Sequence, residues 1–262
     1  MTWWGLSRIF PMKKIAILID GEFFSIALRH DLKLVSRPSA LQIYEHALKL
    51  ADASSEEIWR VFYYDSHASF GRTWHPVTRE RIELGKTPQA KARERFLSEL
   101  GQMDLIALRC GQTRPRGWHL SATYLNQLAK GPMRQPTAVD YELRFEQKGV
   151  DMRIGIDVAT LALNRYVDRI IVVTNDTDLV PALKVARRHG VQVVIAQIGS
   201  FTPHHDLVED ADFKRVYALA PNSSPGGRIH ACRPRQNAPD TATDATGAAA
   251  EAAEIVTEAT AR

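Results

Sequence analysis

The chain has 262 residues, 45% of them apolar, and a formal net charge of +4. That suits one ordinary domain with tails, and the mild basicity permits a polyanionic partner without demanding one. No run approaches the roughly 18 apolar residues of a membrane span, so no membrane partner is expected. The two cysteines, Cys110 and Cys232, lack metal-type spacing, which points to a reduced, cytoplasmic compartment.

Residues 1–12 read as an N-terminal arm, too short and too poorly patterned for a secretory signal. KKIAILID (13–20) then gives five consecutive apolar residues before Asp20. A short unbroken apolar run bounded by a turn reads as a strand buried on both faces. GEFFSIALRH follows at helical spacing. A second helix is expected over 38–50, with Leu41, Tyr44, Ala47 and Leu48 on its apolar stripe. EIWRVFYY (57–64) reads as a strand ending at Asp65, and a polar helix is expected over 88–100. A short strand at 106–109 follows.

Residues 111–147 carry Gly111, Pro115, Gly117, Gly131, Pro132 and Pro136 and form the least regular part. WHLSATYL and VDYELRFEQ are candidate strands of a hairpin excursion. Arg114, Arg116, Lys130, Arg134 and Arg144 are scattered through it, either as a basic lip beside a site or as ordinary surface charges. Beyond Lys148 come a helix from Asp151, an apolar strand over 170–174, and the acids Asp176 and Asp178. Then follow a helix over 179–189 with Pro181 in its first turn, a strand over 191–196, and a closing helix with a last short strand. From Pro221 to residue 262 the composition predicts a disordered tail. Alternating strands and helices predict an α/β fold with a mostly parallel central sheet covered on both faces, whose ligands bind at the strands' carboxyl ends.

Asp20 and Asp176 are placed by this pattern at such ends. Each acid has a bland alternative. Asp20, Asp151, Asp176 and Asp178 all suit helix capping or turns, and Glu22 suits the first turn of a helix. Asp157 shares a helical stripe with Ile154 and Leu161, so it is expected partly buried and supporting rather than ligating. Asn175 offers a neutral oxygen ligand or a turn stabiliser. Taken together, Asp20, Asp151, Asp176 and Asp178 supply hard oxygen donors from three segments. That set suits Mg²⁺ or Mn²⁺ and phosphoryl transfer to water. No phosphate-cradling GxxxxGK[ST] or GxGxxG run is present. A phosphatase with two acids spaced DxD after the first strand is disfavoured, because Asp20 is followed by Gly21 and Glu22.

KIAILIDGEFF, RVFYYD, KGVD with its helix to Asp157, VVTNDTDLVPAL and DLVEDADFKRVYAL resemble, in this order, successive segments of NYN domains. These form the LabA-like branch of the PIN-like nuclease superfamily. The resemblance covers about residues 13–220. It implies a Rossmann-like three-layer α/β/α PIN-like domain, an acidic metal site and ribonuclease activity. Asp20 matches the first-strand acid, Asp151 the acid of KGVD, and Asp176 and Asp178 the paired acids. Phe23, Phe24, Thr174 and Asn175 depart from the usual pattern but spare the carboxylates. On this reading the chain is a metal-dependent endoribonuclease using Mg²⁺ or Mn²⁺. Lys148, Arg114, Arg116 and Arg134 would meet the RNA backbone, and Trp74, Trp118 or Tyr124 would stack on unpaired bases. The alternative is a catalytically weak or inactive module binding RNA or protein on the same fold. Whether the chain forms a homodimer is left open.

Overall fold

The computed structural model describes residues 12–219 and the backbone of 228–231. The arm expected over 1–12 therefore lies outside the described residues except for Met12, and so does the tail reading beyond 219 except for one short strand.

In chain order the elements are β1 (Lys13–Asp20), α1 (Gly21–Asp31), α2 (Ala40–Leu48), β2 (Glu56–His67), β3 (Arg72–Trp74) and β4 (Arg81–Glu83). They continue with α3 (Pro88–Gly101), β5 (Ile106–Leu120), α4 (Ala122–Lys130), β6 (Tyr141–Lys148), α5 (Val150–Leu163) and β7 (Arg169–Val173). The last are α6 (Val180–Arg188), β8 (Gln192–Ile198), α7 (His205–Glu209), β9 (Phe213–Tyr217) and β10 (Arg228–Ala231). Among the described residues one sheet holds eight strands, ordered β10-β9-β8-β7-β1-β2-β5-β6. The strands from β9 across to β5 run parallel, and β10 and β6 are antiparallel edges.

Alternation along the strands divides the core into two layers. Ile15, Ile17 and Ile19 of β1 face one side with Tyr63, Ile171 and Val194, under Phe24, Ile43 and Leu97 of α1, α2 and α3. Ala16 and Leu18 face the other with Tyr64, Val172 and Ile195, under Ile154, Val158 and Leu183 of α5 and α6. An unbroken apolar strand is what a sheet covered on both faces requires. Each such aliphatic side chain contributes about 1.5–3 kcal/mol when fully buried. This is the expected three-layer α/β/α arrangement with a mostly parallel sheet. Among the described residues no helix is long and apolar enough to cross a membrane.

Several local expectations are corrected. Leu41 points to solvent at 56% exposure, and the stripe of α2 that packs is Ala40, Ile43 and Ala47. β2 does not stop before Asp65 but carries it, fully buried, to His67. The strand expected at 106–109 runs on to Leu120. WHLSATYL is split between the end of β5 and the start of α4. This outer half of β5 pairs antiparallel with β6 as a two-stranded arm, with a register shift between Pro115 and Gly117. VDYELRFEQ is β6 in its larger part, with Tyr141, Leu143 and Phe145 alternating with charged residues, whereas β5 beyond Cys110 is interrupted by Pro115 and Gly117 and carries no such alternation. β10, which pairs with β9, falls inside the stretch read as a tail.

Candidate metal centre

β1 is the point where the sheet order reverses. The chain moves from β1 through β2 and β5 to the β6 edge, then returns through α5 to β7 on the other flank of β1. Such a switch point opens a crevice at the carboxyl ends of the two strands. Ile19 is in register with Val173, so Asp20 and the 174–178 loop leave the sheet at the same edge. The third segment arrives by register as well. His67 pairs with Gln112, and Gln112 pairs with Lys148, which brings the end of β6 to that edge. Gly149 then turns the chain into α5 at φ +77°, a left-handed conformation that glycine adopts without strain.

Asp20 caps α1. Its Oδ1 accepts from the backbone N–H groups of Glu22 at 3.0 Å and Phe23 at 3.1 Å. Gly21 is required here by close approach, because a Cβ would lie 2.5 Å from the Tyr63 ring. Asp176 caps the following 3-10 turn through Oδ1, which accepts from Asp178 N–H at 2.9 Å. In both cases the other carboxylate oxygen takes no hydrogen bond from the described residues. Asp151 does not cap: the cap residue of α5 is Gly149, which has no side chain to donate or accept. Capping therefore accounts for one oxygen of Asp20 and one of Asp176, and for nothing at Asp151.

Burial pushes the Asp20 carboxyl up to about 6, and the neighbouring Glu22 and Asp151 carboxylates add to the rise, against the pull of its two backbone hydrogen bonds. Asp151 is also raised, by burial first and then by Asp176 and Asp178. The three segments thus share one negative field. None of Asp20, Asp151, Asp176 and Asp178 forms an ion pair with a described residue. Crowded carboxylates without a counter-charge are the donor chemistry that a hard divalent cation neutralises. Among the described residues, however, no three histidine, cysteine or carboxylate groups stand close enough to enclose one ion. The arrangement fits an ion that keeps much of its water and takes one or two carboxylates, as Mg²⁺ does, and not a closed cage.

The supporting residues divide by their partners. Asp157 is half-buried and accepts from the Tyr64 hydroxyl at 2.8 Å and Arg109 Nε at 3.0 Å, tying α5 to β2 and β5. Asn175 Oδ1 accepts from His204 N–H at 2.8 Å, which fastens its loop to the start of α7. Glu22 accepts from Gln147 Nε2 at 2.8 Å, linking α1 to β6.

The basic residues are dispersed along the arm. Lys148 lies 3.3 Å from Glu146, which also pairs with Arg116. Among the described residues Arg114 reaches Gln112 alone, at 3.3 Å. Arg134 is committed elsewhere: both its terminal nitrogens donate to Asp140 at 2.7 Å, and its guanidinium covers the Tyr124 ring at 4.6 Å. That hydrogen bonding holds the Asp140 carboxyl well below its usual range. Tyr124 is buried and donates to the Arg134 carbonyl at 2.5 Å, so it packs the arm and offers no stacking face. Trp118 donates to Thr73 at 3.1 Å with its ring against His75, while Trp74 is exposed.

Residues that the sequence pattern passed over also line this edge. Asp65, fully buried, is gripped by Arg37 at 2.8 Å and by Arg93, which also donates through Nε to the Ser66 carbonyl at 2.6 Å. An arginine inside a polar helix and another in a loop carry no periodic signal. The acid after RVFYY was the only available hint.

A family model described as NYN domain matches residues 14–217. The uncharacterized protein MJ0482 of Methanocaldococcus jannaschii is 29% identical over 77 residues, which cover 29% of this chain and 32% of that protein. The chain thus spans about a third of that curated relative's length. A crystal structure of a protein of unknown function, VPA0982 from Vibrio parahaemolyticus, is similar with a TM-score of 0.42 and 19% identity, over 80% of this chain and 94% of that one.

Proposed function

Since this chain belongs to the NYN domain family, we propose that it is a metal-dependent ribonuclease of the LabA-like branch, hydrolysing RNA phosphodiester bonds at the Asp20 edge of the sheet. The observation that carries the reading is the shared field of Asp20, Asp151, Asp176 and Asp178: carboxylates from three segments, raised or crowded, with no cationic partner among the described residues. One or two of these four carboxylates would ligate Mg²⁺ or Mn²⁺ directly, and the others would hold it through its bound waters. When bound, such an ion supplies Lewis acidity toward the phosphate oxygens and lowers the pKa of a bound water. The chain's own part is orientation. Asp20 keeps Oδ1 on the α1 N–H groups, which leaves Oδ2 to align the attacking water and take its proton. Asp157 fixes α5, and so Asp151, against β2 and β5. Lys148, Arg114 and Arg116 meet the RNA backbone along the arm, where phosphate contacts make affinity fall with salt.

A second reading, a weakly active or inactive module that binds RNA or protein on the same fold, is favoured by one observation. The four carboxylates do not close around a single point. The two readings separate when wild type and Asp176→Asn are incubated with single-stranded and structured RNAs in Mg²⁺, Mn²⁺ or EDTA. Asparagine preserves the cap at this position. Metal-dependent cleavage lost in the variant is the expected result. Cleavage that survives both chelation and the substitution would sink the site, and RNA binding without cleavage in any metal favours the module.

A further inference from the structure

We propose that a cavity of about 980 Å³ between α2, α3 and the β5–β6 arm seats unpaired nucleotides of the substrate RNA, so that the strand is threaded single-stranded toward the acidic edge. The inference rests on the ribonuclease reading and assigns that reading a substrate form and a subsite.

Position is the first argument. None of the four acids lines this cavity, but Glu22, two residues after Asp20, does, so its wall reaches the first turn of α1 that Asp20 caps. The Glu22–Gln147 hydrogen bond makes part of the shared wall. The volume lies at the upper end of the ~300–1,000 Å³ range of pockets that enclose small molecules, which leaves room for more than one nucleotide.

The lining is the second argument. One side is apolar: Leu143 and Phe145 alternate with outward residues on β6, and Trp118 of β5 stands beside them. Phe145 is 49% exposed, an aromatic face turned to open space. Beside the carboxylates of Glu22 and Glu99, the lining also carries three guanidinium groups, Arg37, Arg93 and Arg95. Asp65 holds the first two in place from behind. Arg93 uses Nε and Nη2 toward Ser66 and Asp65, and its Nη1 makes no hydrogen bond among the described residues. Arg95 is exposed and forms no ion pair or hydrogen bond among them. Aromatic rings and preorganised guanidinium groups lining one cavity match a nucleotide, which offers a π-face and a phosphate. A duplex buries its base faces in its own stack and cannot offer them to Phe145, whereas an unpaired strand can. A purely apolar peptide would leave Arg95 without a partner.

The test uses the full chain in EDTA, so that binding is read without cleavage, by fluorescence polarisation of a labelled single-stranded oligoribonucleotide and of the same sequence as a blunt duplex. The single strand is expected to bind at least about tenfold more tightly than the duplex, as loss of one base–aromatic stack would give. Phe145→Ala should weaken single-strand binding by a similar factor. Arg95→Ala should weaken it and lower the salt slope by about one phosphate contact. Both side chains are exposed, and thermal melts check that the variants fold. Leu143→Trp, which fills the space, should also weaken binding. Equal affinity for duplex and single strand, or unchanged affinity in all three variants, overturns the proposal. The outcome is separable from the nuclease reading. Metal-dependent cleavage with unaltered binding in the Phe145 and Arg95 variants sinks the subsite alone. Phe145-dependent binding by a protein that cleaves nothing in any metal sinks the catalytic reading and leaves the subsite standing.

Discussion

Tyr64 donates its hydroxyl to Asp157 at 2.8 Å, joining the middle of α5 to the strand beneath it. Burial and the Asp157 charge both raise the Tyr64 hydroxyl far above its ordinary range, so it stays a donor at any physiological pH. Arg109 reaches the same carboxylate oxygen. The pair sets the placement of α5, whose first turn carries Asp151.

Asp157→Ala leaves a buried hydroxyl without its acceptor and Arg109 without its counter-charge. A loss of about 2–3 kcal/mol in urea unfolding is expected, against about 1 kcal/mol for Tyr64→Phe. On the proposed assignment, in which Asp157 supports the helix without ligating, Mg²⁺ affinity read by calorimetry should change less than for Asp151→Ala. An equal loss of affinity in the two variants would make Asp157 a ligand.

The raised Asp20 carboxyl gives a pH signature. Below its unfolded value of about 3.9 both states are protonated and the group has no effect. Between there and about 6 the unfolded chain ionises first, so the folded state binds more protons and stability falls as pH rises. Above 6 the full penalty is present. Asp20→Asn keeps the cap and removes the charge. In EDTA the variant should melt several degrees above wild type at pH 7.5 and level with it at pH 4. Added Mg²⁺ should raise the wild-type melting temperature and leave the variant's unchanged. A variant less stable than wild type at pH 7.5 would contradict the assignment.

At the opposite edge of the sheet, Glu56 is buried between Arg169 and Arg215; it accepts from Arg215 at 2.7 and 2.8 Å. Burial works against its charge, but the two guanidinium groups outweigh that and hold the carboxyl below its usual range. Arg215 itself is fully buried, with its Nε unpartnered among the described residues. Glu56→Gln therefore strands two buried cations and should cost about 3–5 kcal/mol. Denaturant titration is the check, and a loss under 1 kcal/mol would mean that water reaches the arginines.

Gly111 lies where a Cβ would stand 2.5 Å from the Lys148 carbonyl and 3.0 Å from a Val150 methyl. Gly111→Ala must push the β6–α5 junction away from β5, and with it Asp151. A loss of about 1–3 kcal/mol is expected, together with weaker Mg²⁺ binding. Unchanged binding in a destabilised variant would show that Asp151 is positioned independently of this contact.

The layers were legible in the chain because burial on both faces leaves a plain mark. IAILI and RIIVV are strands whichever face is examined, and the helices between them repeat every three or four residues. The two-stranded arm was legible only in part: YELRFEQK reads as a strand and is β6, whereas the outer half of β5 was not legible, because Pro115 and Gly117 interrupt it and WHLSATYL straddles the boundary between β5 and α4. Nor was the network at Asp65, since Arg37 and Arg93 come from a loop and a polar helix, and only folding aims both at one carboxylate.

By itself the sequence determined the three-layer class and which acids stand at strand ends, because strand and helix periods are local properties of the chain. Only the tertiary structure decided how those acids are used. Capping takes one oxygen of Asp20 and one of Asp176, Asp151 caps nothing, Asn175 fastens a loop, and Arg134 is drawn away to Asp140. A carboxylate's partner depends on which distant segment the register brings beside it, and register is a property of the assembled sheet.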